Sequence, residues 1–146
     1  MNRSSWIVPL VILLCAGIWH RHQVNQEMVK RFLHEQVFIG DALLASSRVF
    51  YTRENISHVL TLAPTTEVDD AIFPSVPWPL IRLRLQPLDN GRDNFDPYID
   101  QANRFIESAR LEKGRILIHC VEGKSRSASF FMYVTPDVKC PRFNHS

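Results

Sequence analysis

The chain has 146 residues, 45% hydrophobic, 22% charged and 10% aromatic, the profile of one folded domain rather than of a repeat array, a disordered chain or a coiled coil. Seventeen Lys and Arg against fifteen Asp and Glu leave a formal charge of +2, too little for nucleic-acid binding by bulk counterion release but compatible with a local basic pocket. Cys15, Cys120 and Cys140 are too few and too scattered for a disulfide framework, and no Cys or His pair has zinc spacing, so neither a metal nor a cofactor is expected.

Trp6 to Trp19 is a 14-residue apolar run with Arg3 before it and His20, Arg21 and His22 after it. It falls short of the ~20 residues that cross a bilayer. Three readings of residues 1–22 stand. One is a signal peptide, with Arg3 as its charged start, Ile7 to Leu14 as its apolar centre and Ala16-Gly17 as small residues for cleavage. Another is a membrane anchor, for which Arg21, Lys30 and Arg31 place the following domain on the cytosolic side. The third is a packed helix. Asn55-Ile56-Ser57 and Asn144-His145-Ser146 match the glycosylation acceptor pattern, a motif short enough for chance to supply.

Val24, Met28, Val29, Phe32 and Leu33 recur at helical spacing and predict a short amphipathic helix over 24–34. Val37-Phe38-Ile39 reads as a strand ended by Gly40, and 47–54 as a helix whose exit residue, Asn55, tolerates a left-handed backbone. A second strand follows at 58–62. Pro64, Pro74, Pro77 and Pro79 break regular structure and make 64–79 a surface loop. Leu80 to Leu85 alternates apolar and basic side chains, as a half-exposed strand does.

The next helix carries strong end signals. Asp96 suits the N-cap, Pro97 the first helical position and Gly114 the C-terminal stop. Ile99, Ala102, Phe105, Ile106 and Ala109 form its apolar stripe. Residues 115–119, Arg-Ile-Leu-Ile-His, are an apolar run entered directly from that helix, which predicts a strand buried on both faces. Strands alternating with helices give an α/β layer fold with a central, mostly parallel sheet flanked by helices. Ligands of such sheets sit beyond the carboxyl ends of the strands, where Cys120 stands.

From that point the chain reads His119-Cys120-Val121-Glu122-Gly123-Lys124-Ser125-Arg126-Ser127. A strand, a tight loop and a helix start gather backbone N–H groups around one point, a nest suited to a dianionic phosphate. The backbone of Val121, Glu122, Gly123, Lys124, Ser125 and Arg126 supplies those donors. Gly123 lets the loop turn, and the same field favours an anionic sulfur nucleophile at Cys120. Arg126 offers a planar fork that takes two phosphate oxygens at once. Ser127 can donate to the sulfur as it departs in a second step.

This string resembles the Cys-x5-Arg phosphate loop of the cysteine-based protein tyrosine phosphatases, and its Ser-Arg-Ser ending is similar to the dual-specificity branch. The likeness extends to 37–40, to the Ile-x-His-Val-Leu pattern of 56–60 and to the helix before the loop, covering about residues 36–134. It implies a phosphatase-like fold over 23–134 that hydrolyses phosphotyrosine and phosphoserine or phosphothreonine in proteins through a phosphocysteine, without metal. It also implies that His119 organises the loop by hydrogen bonding.

An oxygen leaving group needs a proton, which the family takes from an Asp on an upstream loop. Asp89, 31 residues before Cys120 between Pro87 and Gly91, matches that place, and Asp93 is its rival. After Arg126 only 20 residues remain, with Pro136 and Pro141 among them. This predicts incomplete C-terminal helices, an irregular tail over 135–146 and a sheet with one face less covered. Two other functions stay open: a non-catalytic module that holds phosphoproteins, and a phosphatase of lipid or RNA phosphates using Lys124. A nucleophilic thiolate must stay reduced, which points to the cytoplasm, with membrane association through Trp6 to Trp19 as an added feature.

Overall fold

A computed structural model describes residues 7–87, 95–123 and 126–134. By its contacts the chain divides into residues 1–31 and residues 32–146. In the first unit, helix α1 (Ile7–Glu35) begins, and its last turn lies in the second. The described side chains from Ile12 to Arg21 are all exposed. The expectation of a helix over 24–34 is therefore too short: no proline follows Pro9 until the helix has ended, and the polar residues 20–23 continue it without an apolar stripe. Among the described residues no helix is long and apolar enough to cross a membrane.

In the second unit the buried Phe32 and Leu33 lead into β1 (Val37–Gly40). Then come α2 (Ala42–Ser46), α3 (Arg48–Glu54), β2 (His58–Leu62), a 3-10 turn (Asp70–Ile72), β3 (Ile81–Leu85), α4 (Asp96–Leu111), β4 (Ile116–His119) and α5 (Arg126–Val134). The strands form one sheet in the order β1-β4-β2-β3, with every pairing parallel. β4 is flanked on both sides, and Ile116, Leu117 and Ile118 have no exposed surface. That explains its unbroken apolar sequence; full burial of such side chains contributes ~1.5–3 kcal/mol each.

Side-chain alternation assigns the two faces. Val59 and Leu117 pack in a cluster with Leu44 of α2 and with Phe50 and Tyr51 of α3. Burial pushes the Tyr51 phenol well above its ordinary range. On the other face Phe105 of α4 meets His58 edge-on at 5.5 Å, and α5 packs against β4 and β1. Ile39, Leu60, Ile116 and Ile118 are fully buried there, so among the described residues this face is covered, where a thinly covered one was expected.

Local signals act largely as anticipated. Ser47 caps α3 through Phe50 N, and Asn55 leaves it left-handed at φ 52°. Two end signals of α4 are corrected. Phe95, not Asp96, holds the N-cap position, because the Asp96 carboxylate instead accepts from the Tyr133 hydroxyl of α5. Lys113, not Gly114, takes the left-handed step at φ 54°. Gly114 is required for close approach, since a β-carbon there would lie 2.5 Å from Ser57 Oγ. The tail 135–146 lies outside the described residues.

Candidate active site

Cys120 emerges from the carboxyl end of the central strand β4 and is 2% exposed. Gly123, at φ 69°, turns the chain back so that its N–H donates to Cys120 Sγ at 3.2 Å. Ser127, in the first turn of α5, places Oγ 3.4 Å from the same sulfur. The sulfur thus faces a backbone donor on one side and a hydroxyl on the other, beside the positive end of a helix.

His119 sits beneath this loop with no exposed surface. Its Nδ1 lies 3.2 Å from the Cys120 carbonyl oxygen and its Nε2 2.9 Å from Thr61 Oγ1. A carbonyl only accepts, so Nδ1 carries the hydrogen and Nε2 accepts from the threonine hydroxyl. Burial pushes the imidazole pKa down to about 4, and the ring is neutral at pH 7. Its position therefore fits orientation of the loop backbone and does not fit proton transfer to substrate.

The first half of the loop rests on the corner between β1 and α2. Ala42 N donates to the Val121 carbonyl at 3.0 Å. Asp41 caps α2 by accepting from Leu44 N at 2.7 Å. Val121 is half-buried and Glu122 exposed. The sequence gives no periodic sign of this brace, because α2 has only five residues and no full apolar stripe.

Arg126 opens α5 and is 3% exposed. Its Nη2 donates to Glu67 Oε2 at 2.5 Å. Glu67 belongs to the segment read from sequence as a plain surface loop, and 59 residues separate the pair, beyond any local spacing rule. Lys124, Ser125, Asp89 and Asp93 lie outside the described residues. Two surface cavities, of about 470 and 400 Å³, open elsewhere beside Arg115 and beside Arg82. Neither is lined by Cys120 or Arg126.

Comparison with known proteins agrees with this architecture. The structure of the human tyrosine phosphatase-like serine/threonine/tyrosine-interacting protein superposes with a TM-score of 0.60 at 22% identity, covering 77% of this chain and 85% of that one, a likeness of fold. Dual specificity protein phosphatase 1 of Arabidopsis thaliana is 27% identical over 105 residues, 72% of this chain and 50% of the relative. The Slingshot homolog of Xenopus laevis is 32% identical over 124 residues, 80% of this chain and 17% of the relative. The chain thus spans half or less of the length of these two relatives. The family model for the dual specificity phosphatase catalytic domain matches residues 37–134, from the first residue of β1 to the last of α5, and the chain belongs to that family.

Proposed function

We propose that the protein is a phosphatase of phosphorylated proteins, acting on phosphotyrosine and on phosphoserine or phosphothreonine through a phosphocysteine intermediate. The observation that carries this reading is the convergence of Gly123 N–H and Ser127 Oγ on Cys120 Sγ at 3.2 and 3.4 Å, with Arg126 at the start of the adjoining helix.

The Cys120 thiolate attacks phosphorus in line, forming an S–P bond as the P–O bond to the side chain breaks. Arg126 and the backbone N–H groups of 121–126 hold the non-bridging oxygens. Asp89, assigned by family resemblance and by its spacing from Cys120, protonates the departing oxygen. It then takes a proton from the water that attacks phosphorus, and the S–P bond breaks to release inorganic phosphate. Ser127 donates to the sulfur as it leaves. His119 keeps the Cys120 carbonyl in place throughout.

The phosphatase domain in this reading comprises 23–134. A reducing compartment suits the thiolate, which supports a cytoplasmic site of action. Exposed Ile12, Leu13, Leu14, Ile18 and Trp19, followed by basic Arg21, supply the surface for membrane association. The test is turnover by the full chain of phosphotyrosyl, phosphoseryl and phosphothreonyl peptides. All three classes should release phosphate, and binding without release would favour the non-catalytic module instead.

A further inference from the structure

We propose that Glu122 is a specificity-determining residue that selects phosphorylated protein segments carrying a basic residue, Lys or Arg, beside the phosphoresidue. The proposal rests on the phosphatase reading and deepens it by naming the substrate class. A side-chain phosphate that reaches Cys120 enters over the rim of the loop 121–126, and its neighbours in the peptide then lie across that rim. Glu122 stands there, in the second position after Cys120, and is exposed. Its Cα is therefore within about 8 Å of that of the nucleophile.

The backbone on either side of Glu122 is held. The Val121 carbonyl accepts from Ala42 N at 3.0 Å. Gly123 N donates to Cys120 Sγ at 3.2 Å, and a β-carbon on Gly123 would lie 2.8 Å from Asp41 N. The Glu122 carboxylate thus swings from a fixed point on the rim. Other acids on the segments that meet this loop are engaged: Asp41 accepts from Leu44 N at 2.7 Å, and Glu67 accepts from Arg126 Nη2 at 2.5 Å. Among the described residues no hydrogen bond or ion pair joins the Glu122 side chain to another group. A carboxylate on a phosphate-binding loop repels a dianionic ligand, and a cation next to the phosphate offsets that repulsion, whereas a second acidic residue in the same place adds to it. The backbone of a phosphoserine lies nearer the rim than that of a phosphotyrosine, whose aromatic ring separates phosphate from Cα. Discrimination is therefore sharper for phosphoserine.

The test measures kcat/KM of the full-length protein, Glu122→Gln and Glu122→Lys on matched phosphoseryl and phosphotyrosyl peptides with either Arg or Asp flanking the phosphoresidue. Attraction and repulsion at an exposed site each contribute up to about fivefold, so wild type should favour the Arg phosphoseryl peptide over the Asp one by about tenfold. The phosphotyrosyl pair should show a smaller ratio. Glu122→Gln should bring the ratio below about threefold, Glu122→Lys should reverse it, and salt near ~1 M should erase most of the wild-type preference. Each ratio compares two peptides on one preparation, so partial unfolding of a variant lowers both rates alike. Equal use of both peptides by wild type, a preference for Asp such as Lys124 would impose, or a ratio that survives in Glu122→Gln would each overturn the proposal. A wild-type chain that binds the peptides with the Arg preference in direct titration but releases no phosphate would count against the phosphatase reading alone. A wild-type chain that neither binds nor hydrolyses them would overturn both.

Discussion

Gly123 lies against Gly40: a β-carbon added to Gly123 would come 2.7 Å from the Gly40 carbonyl carbon and 2.8 Å from its oxygen. The loop that carries the candidate nucleophile is therefore seated on the end of the neighbouring strand, with no space for a side chain between them. Gly123 also occupies φ 69°, where a β-carbon costs ~1–3 kcal/mol. Gly123→Ala should lower stability by about that much. It should also displace the N–H from the sulfur, reducing kcat by at least about tenfold, since 1.4 kcal/mol in the barrier is tenfold in rate. Chemical unfolding and steady-state kinetics on the same preparation check both effects, and a stable, fully active variant would contradict the seating described.

Ser127 faces the sulfur from the helix side at 3.4 Å. Removing one donor aimed at developing negative charge costs roughly 10² in rate, and here the charge develops on sulfur when the phosphocysteine breaks. Ser127→Ala should therefore lower kcat by about that factor and leave tungstate affinity unchanged. A rapid burst of the aryl alcohol should precede the slow steady state. Uniformly slow release without a burst would place the serine in the first step instead.

The buried histidines make stability depend on pH with a definite sign. The folded His119 imidazole is held down at about 4, mainly by burial, with Arg84 adding to the depression and the Cys120 carbonyl and Asp41 opposing it. His58 is lowered too, again mainly by burial and opposed by Glu112. Between about pH 6.5 and about 4 the unfolded imidazole takes up a proton that folded His119 refuses, so protonation favours the unfolded chain. Stability is full above about 6.5 and falls as pH drops toward 4, by on the order of 3 kcal/mol from His119. Urea midpoints across this window should decline with acid, and His119→Gln should flatten the slope. An unchanged slope in that variant would show that other groups carry the effect.

What the sequence discloses is what is contiguous or periodic. Ile116 to Ile118 spell a strand buried on both faces because no position there meets water, and Cys120 to Ser127 are legible because one loop contains them all. Asn55 is readable because a left-handed exit has a narrow chemistry. The Glu67–Arg126 pair and the Ala42–Val121 contact are not legible, since each joins segments that only the parallel crossovers bring together. Asp96 is a sound cap by residue type, but Tyr133, 37 residues on, supplies a competing partner. The start of α1 is not legible, because helix continuation through the mostly polar 20–27 needs only the absence of breakers, while apolar spacing reports burial.

Residues Ile12 to Arg21 are exposed, and the buried apolar contribution of α1 in the second unit comes from Phe32 and Leu33. A chain beginning at Gln23 should therefore melt within about a degree or two of the full chain, since ~1 kcal/mol shifts a domain of this size by only a few degrees, and should keep the same turnover per folded molecule. In cell fractionation the full chain should sediment with membranes and the shortened chain should not. A large loss of melting temperature on truncation would show instead that this segment is packed.

In the proposed reaction Cys120 forms a covalent bond to phosphorus, and acid-quench trapping detects that bond. Full-length protein mixed with an aryl phosphate and quenched within one turnover should carry phosphate on Cys120, identified by peptide mass spectrometry, with a yield that rises in Ser127→Ala. Cys120→Ser should carry none and should not hydrolyse the ester. Hydrolysis that persists in Cys120→Ser, or trapped phosphate on another residue, would rule out Cys120 as the nucleophile.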